Sequence, residues 1–137
     1  MRIDKLLCLI CAVSIGNVLA SDTMLSVTNY VQVKDKHFAE ARYYYQKNWL
    51  KLRQAAVAEG MIHSYRLTEI APEEEVPFQL VLETVFRDQQ QYDAAEKNFR
   101  RLIDRMQPNG PRLLNELKSK QFRKILYTSK KASTIGG

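Results

Sequence analysis

The chain reads as an α+β domain: a four-stranded antiparallel sheet with two helices on one face, in the order strand, helix, strand, strand, helix, strand. Two observations predict it. Stretches rich in β-branched and aromatic residues alternate with period two, and between them longer stretches repeat apolar residues at three- and four-residue steps. A strand turns every second side chain to one face and a helix repeats every 3.6 residues, so each change of period marks a new element. Set in that order, the six elements make the split βαβ arrangement. The 137 residues, 26% charged and 45% apolar with five Gly and four Pro, suit one globular domain. They exclude a wholly disordered, collagen-like or polytopic membrane chain.

Residues 1–20, MRIDKLLCLICAVSIGNVLA, have a basic start at Arg2 and Lys5, an apolar run and a small-residue end at Ala20. This is the pattern of a secretory signal cleaved before Ser21. The apolar run of about ten residues is half of the roughly 20 that span a bilayer, so no transmembrane segment is expected after cleavage. Both cysteines, Cys8 and Cys11, lie inside it. The mature chain is then expected to be exported, cysteine-free and held by its core, which favours a periplasmic location. The expected division is a signal peptide at 1–20, a folded domain at 21–130 and a flexible tail at 131–137.

Met24 to Val33 alternates, with Leu25, Val27, Asn29, Val31 and Val33 on one side, and reads as the first strand. Asp35 is the expected N-cap of a helix from Lys36 to Glu59. Its stripe runs Phe38, Ala41, Tyr45, Trp49, Leu52, Ala56, and Gly60 closes it. Met61 to Ile70 returns to strand character, and a loop with Pro72 and three glutamates follows. Pro77 to Phe86 reads as a strand with Phe78, Leu80, Leu82 and Phe86 on one face and Val81 and Val85 on the other. Asp88 with Gln91 three residues on resembles a capping box. It opens a helix striped by Tyr92, Ala95, Phe99, Leu102 and Met106, which the Pro108-Asn109-Gly110-Pro111 turn ends. Leu113 to Leu117 reads as a short helical turn and Phe122 to Thr128 as the last strand. A 34-residue helical repeat would need the Tyr92–Phe99 pattern to recur, and 34 positions earlier the chain alternates instead.

Helices on one face leave the other face of the sheet bare, with several large apolar side chains each worth roughly 1.5–3 kcal/mol when buried. A second copy packed sheet to sheet is the expected remedy, giving a homodimer.

The order of elements, with Asn48-Trp49, Glu59-Gly60 followed by Ser64-Tyr65, Phe78 to Asp88, the Pro108 to Pro111 turn and Phe122-Arg123, resembles the dimeric α/β-barrel superfamily of ferredoxin-like domains, and within it a group of exported, uncharacterised proteins. The resemblance covers about residues 24–128. It implies a ferredoxin-like subunit and no single activity, since the superfamily holds oxygenases, isomerases, decolorising peroxidases and proteins without assigned chemistry.

The candidate catalytic residues are Asn29, Trp49 and His63. Asn29 breaks an apolar row and so serves either a hydrogen-bond network or a ligand. His63 is either a proton shuttle, a haem or metal ligand in a pocket, or a hydrogen-bonded residue on the sheet face. The resemblance implies a cofactor-independent or haem-type oxygenase in which a first-strand asparagine acts with a tryptophan and another polar side chain, but here Trp49 is on the first helix and the second helix carries no histidine. Tyr45, Trp49, Tyr65 and Arg66 are candidate ligand-binding residues for a small apolar or aromatic molecule, against a core role for the rings and a cross-strand pair of Arg66 with Glu83. His37 and His63 without cysteine form no metal motif, and no cofactor is indicated. The basic stretch Lys118 to Lys131 reads as a solvated edge, with no nucleic-acid partner in an exported protein. A small-molecule binder between helices and sheet is the leading expectation, with the oxygenase or isomerase and a non-catalytic interaction protein as the alternatives.

Overall fold

The computed structural model describes residues 23–71 and 74–134. The expected signal segment, both cysteines and residues 135–137 lie outside the described residues. Strand β1 (Thr23–Val33) leads into α1 (Phe38–Tyr44), a π-helical turn (Tyr45–Trp49) and α2 (Leu50–Ala58). Then come β2 (Ser64–Glu69), β3 (Leu80–Phe86), α3 (Gln89–Asp93), α4 (Ala95–Met106), the short α5 (Ser119–Phe122) and β4 (Arg123–Thr134). The sheet order is β2-β3-β1-β4 and every neighbouring pair is antiparallel. This is the ferredoxin-like βαββαβ fold.

The helices cover one face because the apolar rows leave no other choice. Leu25, Val31 and Val33 of β1 and Leu80, Leu82 and Phe86 of β3 are buried. They pack against Ala41, Tyr45 and Trp49 in one cluster and Leu52, Ala56 and Leu102 in another. Gln91 ties the two helical arms together: its backbone N–H donates to Asp88 Oδ1 (2.7 Å) and its side chain donates to the Gly60 carbonyl (2.9 Å). The expected capping-box return bond is made to the Arg87 N–H (2.7 Å), one residue before the cap.

Several expectations need correction. Asp35 is not the N-cap; it and Lys36 take positive φ (51° and 61°) to turn the chain, and the helix begins at Phe38. Met61 and Ile62 are not in the second strand but are buried beneath α2 and α4 as the chain turns. Phe78 does not share the Leu80 face, because the strand starts only at Leu80; its ring meets Tyr30 on the outer face at 4.9 Å. No helix forms over Leu113–Leu117, where Asn115 and Glu116 adopt positive φ; the turn comes later, at α5. Residues 131–134 are not a tail: they pair with Leu25 to Ser26 and on to Thr23 as the end of β4.

Gly60 does terminate the helix. Its N–H donates to the Val57 carbonyl (3.1 Å) and the Met61 N–H to that of Ala56 (2.8 Å), the Schellman pattern, with φ at +70°. A Cβ there would meet nothing within 4 Å, so only backbone strain opposes it. Gly60→Ala is expected to cost about 1–2 kcal/mol in urea denaturation.

The outer face is less apolar than expected. Tyr30, Phe78 and Tyr127 form an aromatic cluster, with Tyr30 and Tyr127 stacked at 4.2 Å. Beyond it Ser26, Thr28 and Thr68 line a polar depression with Arg66 and Glu83, which are joined at 2.9 Å. The sheet back is therefore an aromatic patch beside a polar one.

Candidate functional site

Within the row of β1 and β3 side chains that faces the helices, Asn29 and Thr84 are polar residues among apolar neighbours. Both open into a groove of about 260 Å³ between the sheet and the second helical arm. Val27 and Phe86 complete the floor, and Tyr92 of α3 with Ala95, Glu96 and Phe99 of α4 form the wall. Arg53 enters from α2. Its guanidinium carbon lies 4.6 Å from the Trp49 ring centre and 4.2 Å from that of Phe99, and Nε donates to Thr84 Oγ1 at 3.3 Å.

Burial pushes the Arg53 guanidinium down to about 10, and among the described residues no carboxylate offsets it. It stays cationic at neutral pH. Glu96, also on the groove, is spent on Arg100 at 2.8 Å and points to solvent. Asn29 Oδ1 accepts a hydrogen bond from Thr128 Oγ1 (2.7 Å), which leaves its amide N–H groups without a partner among the described residues. Lys130 brings a second cation, with Nζ 3.9 Å from the Tyr92 ring centre.

A bulge in β4 puts these groups there. Tyr30 pairs with Tyr127 but Val31 pairs with Ile125, so Leu126 is an extra residue and the alternation changes phase. Without it, the parity set by Arg123, which reaches Tyr45 on the helix side, would carry Tyr127 and Ser129 toward the helices. With it, Thr128 and Lys130 face the groove.

Of the three candidate catalytic residues, Asn29 lines the groove and Trp49 backs it through Arg53. His63 is exposed, just before β2, where its backbone N–H donates to the Val85 carbonyl (2.8 Å). By strand register it lies roughly 15 Å from Asn29, two strands across and several residues along. The structure does not bring the three together. Nor do Tyr45, Trp49, Tyr65 and Arg66 share a cavity. Trp49 and Tyr65 pack edge to face at 6.1 Å within the core, and Arg66 is on the opposite side of the sheet. Sequence reasoning missed Arg53, Thr84, Phe99 and Lys130 as site residues. The usable signals were the spacing of Arg53 four residues after Trp49 and the threonine within an apolar strand row.

Tyr45 belongs to the core: it is 1% exposed, and Arg123 Nη1 donates to its hydroxyl at 2.6 Å. Burial pushes this phenol up from the usual tyrosine range, with Arg123 pulling partly the other way. Because the folded value is raised, its contribution to stability is fully present below the ordinary tyrosine range near pH 10 and is lost as pH rises beyond it. In an ultraviolet pH titration one tyrosine should ionise late, and Tyr45→Phe should remove that phase.

Among the described residues no three His, Cys, Asp or Glu side chains gather to hold a metal ion, and no helix is long and apolar enough to cross a membrane. No protein-family model matches the chain, and no curated protein does. Among solved structures it is similar to HapK from Hahella chejuensis, at 11% identity over 82% of this chain and 95% of that one, with a TM-score of 0.49. It is also similar to an ethyl tert-butyl ether D (EthD) family protein from Bacillus halodurans C-125, at 17% identity over 67% and 94% of the two chains, with a TM-score of 0.43.

Proposed function

We propose that this chain is an exported, periplasmic subunit of the dimeric α/β-barrel superfamily that binds a small acidic aromatic molecule in the groove beside Arg53. The observation that carries the reading is the guanidinium between two rings, one nitrogen on a threonine hydroxyl and no carboxylate partner among the described residues. Withdrawing a cation from water without a counter-ion is costly, and ring faces return only part of that cost. A ligand carboxylate would supply the missing charge, with Asn29 as a second donor, while Phe86 and Phe99 take the ring. A groove of about 260 Å³ suits one or two rings.

The polar groups on the groove suit binding better than proton transfer. The oxygenase reading drew its base from His63, which stands outside, so a carrier or sensor role is the better supported. Trp49 is the only tryptophan of the chain and touches Arg53, so its fluorescence reports the groove directly. Titration with 1-naphthoate should change that emission saturably, and 1-naphthalenemethanol should not. An equal response to the neutral alcohol, or none to the acid, would remove the basis of the proposal.

The homodimer remains part of the reading, now supported by the aromatic patch of Tyr30, Phe78 and Tyr127, where Tyr127 is 50% exposed. Sedimentation equilibrium should show a dimer, and Tyr127→Glu should shift it toward monomer with the groove intact. The export reading rests on residues 1–20, and the mature protein from a periplasmic extract should begin at Ser21 by mass.

A further inference from the structure

A second recess, of about 460 Å³, lies between the π-helical turn and the loop from Gln107 to Arg112. Three cations line it, Lys47, Lys51 and Arg112, and no carboxylate does. None of the three enters an ion pair among the described residues. Lys47 and Lys51 are four residues apart on one helical run, a spacing at which like charges destabilise a helix. Arg112 does not drift on a loose loop. Asn48, 3% exposed, accepts from its N–H and donates to its carbonyl, both at 2.8 Å, and so clamps that backbone against the helix. The outcome is a recess of fixed shape with concentrated, uncompensated positive charge.

We propose that this recess binds a phosphorylated small molecule, its phosphate oxygens held by Lys47, Lys51 and Arg112. Arg112 offers the planar fork that matches a phosphate face, and the lysines act as point charges on either side. Three cations call for a multiply charged group, which a phosphate ester or diphosphate supplies and a single carboxylate does not. The site is separate from the groove at Arg53 and does not depend on it.

Isothermal titration calorimetry of the mature chain with inorganic pyrophosphate tests the site, beside flotation with phosphatidylcholine vesicles containing phosphatidylglycerol. Saturable pyrophosphate binding is expected, weakened at least tenfold by K47Q/K51Q and by R112Q and unchanged by K124Q/K131Q. All five side chains are exposed, so these variants should keep the wild-type circular dichroism. Binding confined to vesicles, with the same dependence on the variants, would assign the phosphate to a lipid headgroup; binding in solution assigns it to a soluble ester. An equal loss in K124Q/K131Q would reduce the effect to overall charge and overturn the site. Absence of saturable binding to both probes would overturn it as well.

Discussion

Arg53→Met is expected to weaken 1-naphthoate binding by about 2–3 kcal/mol, roughly 30- to 150-fold, while leaving the protein as stable as before or about 1 kcal/mol more so. The opposite signs are the point of the experiment. Methionine is unbranched and of similar reach, and its sulfur packs well on aromatic rings, so the space between Trp49 and Phe99 stays filled. What disappears is a charge that burial has already pushed down to about 10 with no carboxylate beside it. A residue retained only for structure would lose stability when replaced; one retained for a ligand loses affinity instead. Arg53→Lys should fall between, since an ammonium keeps the charge but not the fork that meets a carboxylate with two bonds. The measurements are Trp49 fluorescence titration and urea denaturation of the same samples. Unchanged naphthoate affinity in Arg53→Met would dismiss the groove as an acid-binding site.

The order of elements was legible because period-two and period-3.6 patterns are each imposed by burial of one face, and four of the six elements carry a clean pattern. Side-chain facing was legible only where the pairing is regular. Phe78 sits two residues before Leu80, a spacing that in a regular strand puts both on one face, yet Gln79 is where the chain is caught: its N–H donates to the Val31 carbonyl (2.9 Å) and its side chain accepts from the Val33 N–H (2.8 Å). The strand begins just after, and Phe78 swings to Tyr30. The bulge at Leu126 likewise leaves no mark on FRKILYT, since an extra residue changes parity without changing composition. The π-helical turn is hidden for a related reason: Tyr45, Trp49 and Leu52 keep helical spacing through it.

The candidate site was legible only in part, and for a physical reason. Asn29 stood out as a polar break in an apolar row, and it does line the groove. Arg53 did not stand out, because a basic residue on a helix normally extends its stem along the surface and keeps its charge in water. Its position is decided by Phe99, 46 residues later, and by Thr84, two strands of sheet away in chain order. Such long-range packing has no local signature. His63 shows the converse: its two-residue spacing from Tyr65 would carry it to the helix side in a longer strand, but β2 starts at Ser64, so the parity does not extend to it.

Asn48→Ala should produce the largest stability loss of any single substitution considered, about 3 kcal/mol in urea denaturation. The amide has all its hydrogen-bonding capacity in use. Nδ2 donates to the Tyr44 carbonyl (2.9 Å) and the Arg112 carbonyl (2.8 Å), while Oδ1 accepts from the Arg112 N–H (2.8 Å) and the Gln107 side chain (3.2 Å). Alanine would strand the Arg112 backbone groups against a helix and leave a small void, and each buried group left unsatisfied costs about 1–3 kcal/mol. Asn48→Asp is the sharper variant. It is nearly the same size and still accepts from the Arg112 N–H, but it cannot donate, so two carbonyls would face a buried carboxylate. It should therefore be no better than alanine at neutral pH and should recover part of the loss when acid restores a proton to the side chain, because the folded state raises that carboxyl's affinity for protons. A loss below about 1 kcal/mol in both variants would mean that the loop holds itself in place, and that the four bonds of 2.8–3.2 Å around Asn48 do not set the packing of the π-helical turn on the loop.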